Sequence, residues 1–203
     1  MKRIITIGRE FGSGGRELGR RLAEELGIAY YDREIVEELI KRTELTENYV
    51  SRVEESRPLP LLPITTARTF YIPVSYASEN RPSIYKQESE IIREMAKKSD
   101  CVIVGRCADY ILRDLKPFRL FIYADMSSKA ERCRAKGSDI AAIADKELWQ
   151  KIISIDKKRA RYYQFYTEQR WGDKSNYDLC INTASAEIKE IIPAITKFIV
   201  LRK

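Results

Sequence analysis

Residues 4–19 read Ile-Ile-Thr-Ile-Gly-Arg-Glu-Phe-Gly-Ser-Gly-Gly-Arg-Glu-Leu-Gly. The β-branched start predicts a strand, and Leu18, Leu22 and Leu26 follow at helical spacing. Between them lies a glycine-rich turn, in which successive backbone N–H groups can converge on an anion. The N-terminus of the following helix adds partial positive charge. We therefore predict a strand, a phosphate-binding loop and a helix, in preference to a glycine-rich turn that only connects two elements.

The loop departs from the P-loop pattern G-x-x-x-x-G-K-[ST], whose lysine binds the β- and γ-phosphates and whose hydroxyl binds Mg²⁺. Counted from the end of the strand, the lysine position falls on Gly15 and the hydroxyl position on Arg16. In a register shifted by one residue, these positions fall on Arg16 and Glu17. Neither register contains the lysine and the hydroxyl, so we expect a phosphate-binding loop with altered chemistry.

The composition limits the chemistry that the protein can perform. The 203 residues contain no histidine, which excludes Ser-His-Asp and Cys-His catalysis and histidine-ligated zinc. Carboxylates, arginines, lysines and backbone amides remain, and phosphoryl transfer uses these groups. The net charge of +7 suits an anionic ligand, although charge alone would equally suit a nucleic acid.

The length of the chain suits one domain, and we expect residues 1–203 to form it. We find no apolar run as long as a membrane span and no signal-peptide pattern. The four cysteines lack C-x-x-C spacing. These features predict a protein of the reducing cytoplasm.

Strand-like and helical segments alternate along the chain, which predicts an α/β fold with a parallel sheet and helices on both faces. We expect the three-layer P-loop NTPase fold with a five-stranded sheet. The predicted strands are residues 4–7, 28–31, 101–105, 118–124 and 177–182. Two segments interrupt the alternation, a helical insert with a proline-rich stretch at about 44–98 and a charged segment at about 138–173. The charge of the second segment predicts weak anchoring to the sheet.

Ligands of a parallel sheet bind outside the carboxyl ends of the strands, so the residues that follow each strand are candidates for the site. These residues are rich in arginines and carboxylates, whereas plain connections more often carry neutral turn residues. They are residues 8–16, Asp32 with Arg33, Gly105 with Arg106, Asp125, and Asn182 with Thr183. A cation at Arg16 opposes the helix dipole, which favours an anionic partner there.

Four pieces of the chain resemble the cytidylate kinase-like proteins, a P-loop group related to bacterial CMP kinase and the nucleoside monophosphate kinases. They are Ile-Thr-Ile-Gly-Arg-Glu-Phe-Gly-Ser-Gly-Gly-Arg-Glu at 5–17, Tyr-Tyr-Asp-Arg-Glu-Ile at 30–35, Val-Ile-Val-Gly-Arg-Cys-Ala-Asp at 102–109 and Asp-Lys-Lys-Arg-Ala at 156–160. The similarity runs nearly from end to end, and the order and spacing of the pieces are specific.

This resemblance implies a kinase that uses ATP and Mg²⁺, and it assigns roles by position. The insert would bind an acceptor, and the charged segment would form a lid that closes over the transferring phosphoryl group. The donor would bind at Gly12, Ser13, Gly14, Gly15, Arg16 and Glu17. The acceptor would bind at Asp32, Arg33, Arg106 and Asp109. Arg16, Arg159 and Arg161 would stabilise the charge of the transferring group.

Two acceptor positions differ from the family pattern. CMP kinases have an aspartate directly after the Gly-Arg pair, where this chain has Cys107 and carries its acid at Asp109. Arg33 stands where the family has a small hydroxyl residue.

Mg²⁺ would be held by donor phosphates and water, with Glu17 or Asp125 as a further ligand.

The function that we predict is transfer of the γ-phosphoryl group of ATP to a nucleoside monophosphate such as CMP, or to a similar small phosphorylated acceptor. The alternative is a non-catalytic nucleotide sensor, in which the altered loop binds without transfer. Nucleic-acid binding through the basic segment 156–161 is disfavoured, because the sequence contains no helix-turn-helix or RNP-type motif. We expect no membrane partner, and the sequence does not indicate an oligomeric state.

Overall fold

A computed structural model describes residues 2–43, 81–136 and 144–201. Within these ranges, five strands form one sheet with the order β2-β3-β1-β4-β5, and each neighbouring pair is parallel. The strands are β1 (Ile4–Arg9), β2 (Ala29–Tyr31), β3 (Cys101–Val104), β4 (Phe118–Tyr123) and β5 (Leu179–Asn182). The predicted parallel sheet is therefore confirmed, and its strand ends differ from prediction by one or two residues.

Helices connect the strands. They are α1 (Gly15–Leu26), α2 (Arg33–Thr43), α3 (Arg81–Lys98), α4 (Ala108–Ile111), α5 (Met126–Lys136), α6 (Asp145–Thr167) and α7 (Ile188–Leu201). Residues 44–80 of the insert and 138–143 of the charged segment lie outside the described residues. Among the helices in the described ranges, none is long and apolar enough to cross a membrane.

The central strands are buried on both faces, as their continuous apolar runs predict. Successive side chains of a strand point to opposite faces, so neighbouring residues enter different cores. Ile5 and Val102 pack in a core that includes residues of α1 and α7. Ile4, Cys101 and Ile103 pack in a second core with residues of α2, α3 and α4. Helices therefore cover both faces of the sheet.

Helix α6 is anchored more firmly than its charge predicts. Leu148 and Ile152 are fully buried and pack against Ala130 and Cys133 of α5. Tyr163, near the other end of the helix, is also buried and joins the core that contains α3. The weak anchoring expected from the composition is therefore wrong for residues 145–167, because a few apolar side chains at helical spacing suffice to bury one stripe of the helix.

Candidate active site

The loop after β1 is held in the shape of an anion cradle. Gly12 and Gly14 adopt the left-handed conformation, with φ values of 76° and 79°, and α1 begins directly afterwards. Ser13 is fully buried, and its hydroxyl donates to the Glu10 carbonyl at 2.8 Å. The Ser13 carbonyl in turn accepts a hydrogen bond of 2.8 Å from Thr183 Oγ1. These bonds fix the loop from the side of the core, at the N-terminus of a helix where anions bind.

A cavity of about 180 Å³, called the loop cavity below, lies over this loop. Its charged lining consists of four arginines and one glutamate. The lining residues are Arg9, Glu10, Phe11, Gly12, Gly14, Gly15, Arg16, Arg132, Cys133 and Arg159. Guanidinium groups beside the backbone N–H groups of a helix N-terminus fit a phosphate, because both donate charge-assisted hydrogen bonds to its oxygens.

A second cavity of about 260 Å³, the strand-end cavity, lies at the carboxyl ends of β1, β2 and β3. Its charged lining consists of six basic and two acidic residues, and aromatic rings form much of the remainder. The charged residues are Arg9, Arg16, Arg33, Arg106, Lys158, Arg159, Asp32 and Asp109, and the aromatic residues are Tyr162, Tyr163, Trp171 and Tyr177. The cavity thus suits a small anionic ligand with an apolar or planar part.

Three arginines, Arg9, Arg16 and Arg159, line both cavities. Asp32 lies among them, with Oδ1 3.4 Å from Arg9 Nη2 and Oδ2 paired with Arg16 Nε. Arg159 Nη1 donates to the carbonyl of Arg9 at 3.1 Å. Burial, followed by the positive charge of Arg159, lowers the pKa of Arg9 to about 9. The potential at the junction of the two cavities is therefore positive, which favours an anion there.

The acceptor candidate Arg106 is positioned by an unusual turn and a buried carboxylate. Gly105, Arg106 and Cys107 have φ values of 82°, 55° and 54° in succession, and two of these residues carry side chains that disfavour this conformation. The Nη1 atom of Arg106 pairs with the fully buried Glu88 of α3. The other carboxylate oxygen of Glu88 accepts a hydrogen bond of 2.8 Å from Tyr162 Oη. Backbone strain of this kind is typical of functional sites.

Glu88 links three elements, because it lies on α3 and contacts both Arg106 in the turn after β3 and Tyr162 of α6. It is absent from the predicted site. The sequence does carry a signal for it, because Glu88 falls within the apolar stripe of Ile84, Ile91 and Met95. A carboxylate in such a stripe requires a buried partner.

Arg9 and Lys158 also line the strand-end cavity, although the sequence assigns neither of them a role and places Arg9 only within the candidate range 8–16. Arg9 ends β1, which places it at the edge of the sheet where ligands bind. Lys158 stands in a run of charges that gives no reason to single it out.

Helix α6 is attached to the loop through Asp156. Its Oδ1 accepts a hydrogen bond of 2.7 Å from the backbone N–H of Phe11, and its Oδ2 lies 3.1 Å from Lys129 Nζ. Lys129 is buried and also pairs with Glu10 Oε2 at 2.5 Å. One N–H group of the loop is thus bonded to a side chain, so a phosphate would bind further along, over residues 12–16.

Neither predicted magnesium ligand faces the loop cavity. Glu17 pairs with Arg21 Nε at 3.0 Å and lines a third cavity of about 620 Å³, the outer groove, which adjoins the loop cavity at Arg132. Asp125 caps α5, because its Oδ1 accepts a hydrogen bond of 2.8 Å from the N–H of Ser128. In the described ranges, no three acidic, cysteine or histidine side chains group as a metal site. A Mg²⁺ ion at the loop cavity would therefore have to take most of its ligands from bound phosphates and water, and Mg²⁺ commonly binds with several waters and substrate phosphates.

The structure brings most of the predicted residues to the two cavities. Gly12, Gly14, Gly15 and Arg16 line the loop cavity, and Ser13 lies buried beneath it. Asp32, Arg33, Arg106 and Asp109 line the strand-end cavity. The two predicted lid arginines differ in their position. Arg159 lines both cavities, whereas Arg161 is exposed and lines neither.

Asp109 lies in the apolar wall of the strand-end cavity. Its side chain is buried, and its Oδ2 atom lies 2.6 Å from Tyr163 Oη. Burial raises the pKa of Asp109 above its ordinary value, because the charged form loses hydration. The hydrogen bond from Tyr163 acts in the opposite direction and only partly offsets this effect.

Replacing Asp109 with asparagine is expected to stabilise the protein relative to wild type, increasingly as the pH rises above the ordinary aspartate value of about 3.8. From there up to the raised pKa, Asp109 is ionised in the unfolded chain and protonated in the native protein, so the contribution of this group to wild-type stability falls as the pH rises. Asparagine carries no charge and can still accept the hydrogen bond from Tyr163. Urea unfolding of both proteins at about pH 4 and about pH 7 measures the difference, and a difference that does not grow with pH would contradict the expectation.

The fold is shared with solved structures. An uncharacterized protein from Eubacterium ventriosum is similar with a TM-score of 0.72 and 28% sequence identity, over 99% of this chain and 100% of that chain. A shikimate kinase from Bacteroides thetaiotaomicron is similar with a TM-score of 0.58 and 16% identity, over 98% of this chain and 99% of that chain. The predicted P-loop NTPase fold, with its parallel five-stranded sheet between helices, is therefore confirmed.

Sequence comparison gives the family. A cytidylate kinase from Methanopyrus kandleri is 24% identical over 192 residues, which span 89% of this chain and 84% of that protein. The sequence profile of the cytidylate kinase-like family matches residues 4–185. The match covers the loop, both acceptor pieces and the arginine-bearing helix, so the chain belongs to the cytidylate kinase-like family.

Proposed function

We propose that the protein transfers the γ-phosphoryl group of ATP to a nucleoside monophosphate or a similar small acceptor. The observation that carries this proposal is the meeting of the loop cavity and the strand-end cavity at Arg9, Arg16 and Arg159. A donor in the first cavity and an acceptor in the second would face each other across these arginines. Phosphoryl transfer depends mainly on such positioning and on neutralisation of charge. Family membership and the Methanopyrus relative favour a nucleotide acceptor, with CMP among the candidates.

The donor would place its phosphates on the loop and its nucleoside in the outer groove. Arg132 lines both spaces, and its Nη1 is hydrogen-bonded to Thr183 Oγ1 at 3.2 Å. The guanidinium is thereby fixed at the boundary, where the phosphates and the nucleoside of one molecule would join. The outer groove has room for this, with a volume of about 620 Å³.

The acceptor would place its phosphate near Arg106, with Asp32 and the aromatic wall around the rest of the molecule. In the transfer step, an acceptor phosphate oxygen forms a bond to the γ-phosphorus while the bond from that phosphorus to the β–γ bridging oxygen breaks. The electron pair of the broken bond leaves with ADP. An acceptor phosphate is largely ionised at neutral pH, because its second pKa is about 6, so no general base is required. A step that needs no general base agrees with a sequence that contains no histidine.

The chain's own cations would stabilise the charge of the transferring group. Arg16 and Arg159 would approach it from the loop and from α6, and α6 would act as a lid that excludes water. When Mg²⁺ is bound together with the donor, it would supply further neutralisation of the phosphate charge. Arg161 would contribute only through a movement of α6, because it lines neither cavity.

The test is a screen for ADP release from ATP and Mg²⁺ across a panel of nucleoside monophosphates, with thermal stability measured for the same ligands. Acceptor-dependent ADP release supports the proposal. Stabilisation by ATP with no ADP release for any acceptor would instead favour a non-catalytic sensor. The altered loop, with Gly15 at the lysine position and Arg16 at the hydroxyl position, would agree with that outcome.

Replacing Arg106 with alanine is expected to weaken acceptor binding by about 1.5–3 kcal/mol, roughly ten- to a hundredfold in Kd, and to leave ATP binding nearly unchanged. The reason is that Arg106 lines the strand-end cavity and not the loop cavity. Titration calorimetry with each ligand measures both constants.

The control for this variant is the double change Arg106→Ala with Glu88→Gln. The single change leaves the buried Glu88 carboxylate without its cation, and the double change removes that destabilising charge. Equal weakening of ATP and acceptor binding in the double variant would assign Arg106 a structural role.

A further inference from the structure

The altered loop contains no lysine, and the side chain of Arg9 fills the space that a lysine at Gly15 would enter. A Cβ atom added to Gly15 would lie 2.5 Å from Arg9 Cβ and 3.1 Å from Arg9 Cγ. Gly15 does not have a positive φ, so its backbone does not require glycine. The presence of Arg9 therefore explains why position 15 carries no side chain.

A second glycine, on a different element, makes room for the other end of the same side chain. A Cβ atom added to Gly105 would overlap Arg9 Nη1 and lie 3.0 Å from Arg9 Cζ. Arg9 therefore runs from the start of α1 to the end of β3, between two positions that lack side chains. This path carries its guanidinium from the loop cavity to the strand-end cavity, both of which Arg9 lines.

The guanidinium of Arg9 is short of negative charge. Its side chain is 16% exposed, and its ion pair with Asp32 is long at 3.4 Å. Asp32 also pairs with Arg16, so one carboxylate is shared by two cations. Burying a cation costs free energy, and a nearby anion offsets part of that cost. An anion between the cavities would provide that pairing.

We propose that Arg9 is a catalytic residue that replaces the P-loop lysine, and that its guanidinium binds the terminal phosphate of the donor on the side that faces the acceptor. No bond is made to Arg9. It donates hydrogen bonds and neutralises charge that develops on the transferring oxygens, and its planar fork can bind two oxygens at once. The catalytic part of the proposal rests on the proposed function, whereas the phosphate-binding part requires only that the loop binds a polyphosphate.

The test compares the wild type with Arg9→Ala, Arg9→Gly, Gly15→Lys and the exchange variant that combines Arg9→Gly with Gly15→Lys. We expect Arg9→Ala to lower turnover on the order of 10³-fold, as removal of an arginine from a phosphoryl-transfer site does. Gly15→Lys alone is expected to lower turnover as much as Arg9→Ala does, because the new side chain collides with Arg9. The exchange variant puts the cation at the P-loop position in the freed space, and we expect it to recover turnover at least about tenfold over Arg9→Gly.

Calorimetry with tripolyphosphate and with ATP separates this proposal from the proposed function. If the wild type binds ATP without turning over any acceptor, the proposed function fails. The phosphate-binding role of Arg9 is then tested separately, and it requires that Arg9→Ala weakens tripolyphosphate binding about tenfold or more. Arg93→Ala, which removes an exposed arginine on α3, is the control for lost positive charge. A folded Arg9→Ala protein with wild-type binding and turnover would overturn the proposal. A folded exchange variant no better than Arg9→Gly in either readout would overturn the replacement of the lysine.

Discussion

Gly105→Ala is expected to lower turnover on the order of 10²- to 10³-fold in a protein that still folds. Its methyl group would overlap the guanidinium of Arg9, which must then leave its place beside Asp32. Since the displaced atoms lie at the end of a flexible side chain, the collision itself costs little stability. The left-handed φ of 82° adds about 1–2 kcal/mol to the cost for any residue with a Cβ atom.

Gly27→Ala is the matched control for this prediction. Gly27 also has a positive φ, of 62°, but a Cβ atom added there meets nothing within 4 Å. Both variants should lose a similar free energy of unfolding, and only the variant at Gly105 should lose turnover. Steady-state kinetics measures the turnover of both variants, and urea unfolding measures their free energy of unfolding. Equal turnover in the two variants would mean that the position of Arg9 is irrelevant to the reaction.

Arg159→Ala is expected to lower turnover on the order of 10³-fold, with a much smaller change in the Kd for ATP. Arg159 lines both cavities and is fixed by its hydrogen bond to the carbonyl of Arg9, so it is placed to contact the transferring group. Single-turnover kinetics with saturating ATP measures the transfer step directly.

Arg161→Ala provides the control from the same helix. Arg161 lies two residues further along and is exposed, so its removal changes the same net charge without reaching either cavity. We expect its turnover to match the wild type. A similar loss in both variants would show that α6 moves enough during the reaction to bring Arg161 to the phosphates.

The sheet and the position of the candidate site were predictable from local patterns. Continuous apolar runs indicated strands buried on both faces, and the edge at which parallel strands end indicated where Asp32 and Arg106 would meet. These features depend on residues close together in the chain, so the sequence carries them directly.

The roles of individual charges were harder to predict, because they depend on distant neighbours. The path of the Arg9 side chain depends on the absence of a side chain at Gly105, which follows another strand, β3. Arg159 and Arg161 look equivalent within their charge run, although the stripe of Leu148, Ile152 and Ile155 continues to Arg159 alone. That spacing was a usable signal, since the buried stripe determines which charges face the sheet.

The bond from Phe11 to Asp156 couples the loop to a helix that extends well beyond the site. By thermodynamic reciprocity, a ligand that favours the bonded form of the loop must favour the docked form of α6 by the same free energy. Loosening the far end of α6, around Leu148, would then lower nucleotide affinity without altering any group in contact with the nucleotide. If the protein binds nucleotide as proposed, the helix would act as an adjustable constraint on affinity, and changes in its packing would tune the protein to different nucleotide concentrations while the chemistry stays the same.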